Sequence, residues 1–70
     1  MKLYFENSNG ERILISEPKT HNEAIRTINK FCDERRFKIY YVRTWREPDG
    51  LKGYDVGSHT EFFYLDDINE

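Results

Sequence analysis

The spacing of apolar positions along the chain changes from the alternation of a strand to the longer period of a helix, then back to alternation. Two alternating runs, Leu3-Tyr4-Phe5-Glu6 and Arg12-Ile13-Leu14-Ile15, flank Ser8-Asn9-Gly10 and read as a β-hairpin. A two-residue Asn-Gly turn would set Phe5 against Leu14 and Glu6 against Ile13. A three-residue loop with Gly10 in the left-handed conformation instead pairs Phe5 with Ile13, Leu3 with Ile15, Tyr4 with Leu14 and Glu6 with Arg12. The second register matches apolar with apolar and charge with charge, and it is the one expected.

Pro18 ends this hairpin, and Thr20-His21-Asn22-Glu23 then forms a capping box in which the Thr20 hydroxyl accepts from the Glu23 amide and the Glu23 carboxylate reciprocates. Ala24, Ile25, Ile28, Phe31 and Cys32 recur on one helical face, while Arg26, Asn29, Lys30, Asp33 and Glu34 take the other. Arg35 and Arg36 follow where cations suit the carbonyl end of the helix dipole.

From Phe37 to Arg46 the chain is dense in β-branched and aromatic residues and has no breaker, which predicts a strand. Glu47-Pro48-Asp49-Gly50 is a turn, because Pro presets one backbone angle and Gly supplies the positive one. Closing on it opposes Arg43 to Asp55, Val42 to Val56, Trp45 to Gly53 and Tyr41 to Gly57, so that two aromatic rings cover bare glycines. Leu51 to Val56 is the next strand. Gly57-Ser58-His59-Thr60 then reads as a turn into a last strand, Glu61 to Leu65, since one strand from 51 to 65 would be long for so small a sheet. The predicted fold is α+β, a small antiparallel sheet with one helix packed on a face, in the order ββαβββ, or ββαββ if the final strand is continuous. Residues 1–65 form the single domain, and residues 66–70 are expected to be a frayed acidic tail.

Composition narrows this further. Seventy residues fill one core, and with 37% hydrophobic and 34% charged residues that core is thin, with aromatics at 16% carrying much of it. Such a domain draws about 3–5 kcal/mol of net stability from its core, so a homodimer is a reasonable expectation. Cys32 is alone, which excludes an internal disulfide, and at a helix core position it reads as a small hydrophobe rather than a nucleophile. No stretch has the length of a membrane span, so no membrane partner is expected.

The net charge of −2 conceals a segregation. Residues 19–46 carry +5, with Lys19, Arg26, Lys30, Arg35, Arg36, Lys38, Arg43 and Arg46 against Glu23, Asp33 and Glu34. Residues 47–70 carry −6. Pairing of the two segments within one sheet is the favoured reading, and a polyanion-binding patch is the alternative.

The candidate chemistry is sparse. Asp55, His59 and Glu61 gather around Gly57, but a metal site needs at least three arranged ligands and the chain has two His. No catalytic or metal-binding residue is assigned, no cofactor is expected, and the chain is read as a non-enzyme. The glycines lack a following helix that would supply amide donors to a phosphate. Lys38 to Arg46 interleaves basic and aromatic residues as nucleic-acid surfaces do, which makes Lys38, Arg43 and Arg46 the alternative nucleic-acid or nucleotide site. Alternation divides that strand between two faces, however, and a single helix covers one of them. The uncovered aromatic face, taken as Tyr40, Trp45, Tyr54 and His59, is therefore the expected contact surface for a protein partner.

Asn7-Ser8-Asn9-Gly10, Tyr40-Tyr41-Val42-Arg43-Thr44-Trp45 and above all Asp55-Val56-Gly57-Ser58-His59-Thr60-Glu61-Phe62-Phe63-Tyr64-Leu65 carry a resemblance. Over nearly its whole length the chain resembles small uncharacterised proteins encoded by phages, prophages and conjugative transposons of Gram-positive bacteria. The resemblance implies a setting rather than a residue role: an accessory protein in the cytoplasm of a bacterial host, binding a host or element-encoded protein in counter-defence or host modulation.

Overall fold

A computed structural model describes residues 1–36, 38–39, 42–58 and 60–68 of the protein. Among the described residues five strands and one helix follow in the order β1 (Lys2–Glu6), β2 (Arg12–Ser16), α1 (His21–Glu34), β3 (Arg43–Arg46), β4 (Lys52–Asp55) and β5 (Phe62–Asp66). All pairings are antiparallel and the strand order across the sheet is β2-β1-β5-β4-β3, so the fold is α+β with the predicted ββαβββ arrangement. The helix joins one sheet edge to the other, which is why it lies across a face instead of beside it.

The hairpin adopts the three-residue loop. Gly10 has φ +81, its amide bonds to the Asn7 carbonyl at 3.0 Å, and the Asn7 amide bonds to the Glu11 carbonyl at 3.0 Å. Tyr4, Phe5 and Glu6 oppose Leu14, Ile13 and Arg12 as expected. Leu3 does not oppose Ile15; it pairs with Ser16, because a bulge displaces Ile15 out of register and against the core.

Thr20 is the N-cap of α1 and accepts from the Glu23 amide at 3.1 Å. The Glu23 carboxylate returns to the Lys19 amide at 2.8 Å, one residue before the N-cap, so the capping box closes over a slightly wider ring. At the other end Arg36 adopts φ 60, the left-handed conformation that follows many helices, and its amide bonds back to Asp33 at 3.1 Å.

Register divides the sheet into two faces. Ile13, Phe5, Phe63, Tyr54 and Thr44 lie in one row toward the helix, and Ser16, Leu3, Leu65, Lys52 and Arg46 lie in the next. The middle members of these rows pack under Ala24, Ile28 and Cys32 of α1, with Phe31 beside them. Phe31 stands edge-on to Phe63 at 5.6 Å and tilted against Phe5 at 4.8 Å. Burial, and then the charge of Glu61, raise the Cys32 thiol pKa above its ordinary value, which suits a packing role.

Three sequence expectations are corrected here. The strand predicted over 37–46 is regular over Arg43–Arg46; Lys38, Ile39 and Val42 are irregular, while Phe37, Tyr40 and Tyr41 lie outside the described residues. The Val42–Val56 pair is not formed, because the ladder ends at Arg43 and Asp55, and the Tyr41–Gly57 pair falls outside the described residues. Of the tail expected over 66–70, Asp66 and Asp67 are held in the fold, while Asn69 and Glu70 lie outside the described residues. Asp66 is the last residue of β5, opposite Lys2. Asp67 accepts from both terminal nitrogens of Arg46, at 2.7 and 3.0 Å, and lies 2.8 Å from His21 Nε2. It thus ties the chain end to β3 and to the start of α1.

The Asp67 carboxyl pKa is held well below its ordinary value of 3.8, first by the Arg46 hydrogen bonds and then by His21. A depressed folded-state value means a contribution that is fully present above the ordinary carboxylate range and is lost progressively as pH falls below that range toward the folded value. Asp67→Asn is therefore expected to lower the urea midpoint at pH 7, with the gap to the parent chain narrowing as pH falls from about 4 to about 2. A gap that stays constant across that range would show that the contact is not ionic.

Candidate functional site

The face of the sheet turned away from α1 carries its own row across all five strands: Leu14, Tyr4, Tyr64, Gly53 and Trp45. A second row holds Arg12, Glu6 and Phe62 on one side and Asp55 and Arg43 on the other. This face is partly self-covered. The Trp45 indole lies over Gly53, where an added Cβ would run into the ring. Its plane meets Tyr64 edge-on at 6.1 Å and Phe62 edge-on at 6.0 Å. The Arg12 guanidinium sits 3.9 Å above the Tyr64 ring, held there by a 3.1 Å bond to Glu6. Tyr64 is consequently 5% exposed although no helix covers it. Burial, reinforced by the charges of Glu6 and Glu47, raises its phenol pKa.

Beyond this cluster, at the β3 end, the face opens into a cleft of about 380 Å³ lined by Arg43, Thr44, Trp45, Asp55 and Phe62. Trp45 and Phe62 are its apolar walls, both half-buried. Asp55 is buried at 6% exposure; one carboxylate oxygen accepts from Arg43 at 3.1 Å and the other from the Gly57 amide at 2.9 Å. The second bond is an Asx turn, which bends the chain out of β4 toward β5. Ser58 continues the connection by donating to Glu61 at 3.2 Å. The Arg43 side chain is 71% exposed, so the cleft presents two aromatic walls with an exposed guanidinium at its rim, anchored on a buried carboxylate.

Of the residues expected to form one partner surface, Trp45 is on this face. Tyr54 is not: it stands opposite Thr44, faces the helix and is 1% exposed. Side chains alternate along a strand, so Tyr54 and Trp45 cannot share a surface. The Tyr54 hydroxyl is buried without a hydrogen-bond partner among the described residues, and burial raises its pKa, with the Asp67 charge adding. Tyr40 and His59 lie outside the described residues. Phe62, Asp55 and Arg43 complete the cleft; none of them was assigned to the partner surface from sequence.

The alternative basic site is likewise divided. Arg43 is on the open face and Arg46 on the helix face, and each meets an aspartate of the C-terminal third, Asp55 and Asp67. Lys38 is exposed in the segment before β3. Two of the eight basic residues of the middle segment, Arg43 and Arg46, thus pair with the acidic end within the fold, as the favoured reading of the charge pattern expects. Among the described residues no three His, Cys, Asp or Glu side chains converge as metal ligands, and no helix is long and apolar enough to cross a membrane. No family model matches the chain, and neither a curated protein nor a solved structure is significantly similar to it.

Proposed function

We propose that the protein is a non-enzymatic interaction module, an accessory protein of a phage or mobile element that binds a protein of its bacterial host through the open sheet face. The observation that carries this reading is the cleft between Trp45 and Phe62 with the Arg43–Asp55 pair at its rim. An exposed slot with perpendicular aromatic walls accepts an apolar or aromatic side chain, and the adjoining guanidinium gives the partner's polar groups a fixed point of orientation. The setting rests on the resemblance of the segments at 7–10, 40–45 and 55–65. The neutralisation of Arg43 and Arg46 by aspartates disfavours a polyanion as the partner.

The test is affinity capture from a nuclease-treated lysate of a Gram-positive host, with wild type against Trp45→Ala. Wild type is expected to retain a defined protein, and the substitution to weaken that capture by about 30-fold, the size of an aromatic anchor lost from an interface. Far-ultraviolet circular dichroism of the variant checks that the sheet survives. Equal capture by the two proteins, or capture that depends on nucleic acid, would overturn the proposal.

A further inference from the structure

The two edges of the sheet are built differently. The β3 edge carries Arg43 and Arg46 and runs into Pro48, the kind of charged, proline-flanked border that discourages strand addition. The β2 edge carries Ile13, Leu14 and Ile15 in succession. Ile13 is 48% and Leu14 47% exposed, and they stand on opposite faces of the sheet. An edge strand with exposed apolar side chains on both faces is a template for addition of a further strand.

The main chain of β2 is available as well. The Asn7 amide bonds to the Glu11 carbonyl across the hairpin. In an antiparallel ladder, hydrogen-bonded and non-bonded pairs alternate from that point, so Phe5 and Ile13 face each other while the main-chain groups of Arg12 and Leu14 point outward from the sheet.

We infer that β2 is the dimerisation strand of this protein, pairing antiparallel with β2 of a second copy about a two-fold axis at Leu14. The segment is self-complementary in that register. Leu14 opposes Leu14 on the open face, exchanging both main-chain hydrogen bonds, and Ile13 approaches Ile15, which the bulge turns toward the core, on the helix face. There Ile15 and Phe31 flank a second cleft of about 310 Å³ between β2 and α1, with Lys30 and Glu34 at its rim. The Ile13 side chain of the second copy enters it, and symmetry fills the equivalent cleft in return. Lys30 and Glu34, 4.0 Å apart at the rim of that cleft in each copy, present a charge of each sign to the second copy. The result is one continuous sheet with both helices on the same side. This interface lies at the far edge from the Trp45 cleft and does not depend on it.

Sedimentation equilibrium of the full chain from about 10 µM to about 1 mM is expected to show the mass rising from 8.5 kDa toward twice that value. Leu14→Lys sets two like charges opposite each other at the axis and is expected to weaken association at least tenfold, as is Leu14→Glu. An equimolar mixture of the two is expected to dimerise again. Val42→Lys, an exposed apolar site elsewhere, is expected to change nothing. Because variants can misfold, hydrogen exchange of the wild type gives an independent reading: the outward Leu14 amide is expected to gain about tenfold protection at the high concentration. A mass fixed at 8.5 kDa, Leu14→Lys dimerising like wild type, failure of the mixed pair to associate, or concentration-independent exchange at Leu14 would each overturn the inference.

Discussion

Phe63→Ala is expected to cost about 3–5 kcal/mol, as removal of a fully buried ring does. Phe63 is 1% exposed on β5, the central strand, with Phe5 at 5.3 Å and Phe31 edge-on at 5.6 Å. A chain of 70 residues has about 3.5–10 kcal/mol of total stability, so the loss is comparable with the whole. Urea denaturation followed by circular dichroism should show little or no folded baseline at 25 °C, with Phe63→Leu recovering most of the transition. A destabilisation below about 1 kcal/mol would mean that this ring does not hold the sheet to α1.

Gly53→Ala tests the other face without altering a side chain that lines the cleft. The added Cβ would fall on Cε2 and Cζ2 of the Trp45 indole, well inside van der Waals distance. The indole cannot yield cheaply, because Tyr64 and Phe62 stand edge-on against it. Strain of about 1–3 kcal/mol is expected, together with displacement of Trp45 toward solvent and loss of partner capture comparable to Trp45→Ala. The red shift of the single tryptophan's fluorescence reports the displacement directly. In the Gly53→Ala, Trp45→Ala double variant the two penalties should be less than additive, because the clash has been removed. Additive penalties, or an unshifted emission, would place Trp45 away from Gly53.

Much of the fold is legible in the chain. The Thr20–Glu23 spacing and the apolar stripe of Ala24, Ile28 and Cys32 mark the helix, because a cap and a 3.6-residue period are local properties. Loop length and charge matching at Ser8-Asn9-Gly10 are enough to set the hairpin register near its turn. The Glu47–Gly50 turn similarly places Arg43 opposite Asp55 and Trp45 opposite Gly53. The same register already sets Tyr54 opposite Thr44, and so on the face away from Trp45. Alternation within β3 and β4 was the signal that could have kept Tyr54 off the partner surface.

Local order along the chain therefore specifies the elements, their succession, and the pairings nearest each turn, all governed by neighbours a few positions away. Contacts across the fold set the remainder: which face α1 covers, the bulge at Ile15, the tie from Asp67 to Arg46 and His21, and the cleft that Phe62 completes beside Trp45. These contacts join β5 and the chain end to elements distant in sequence. Strand order β2-β1-β5-β4-β3 brings them together, and no local propensity encodes that order, because it follows from how one helix can cross the sheet and bury the most apolar area.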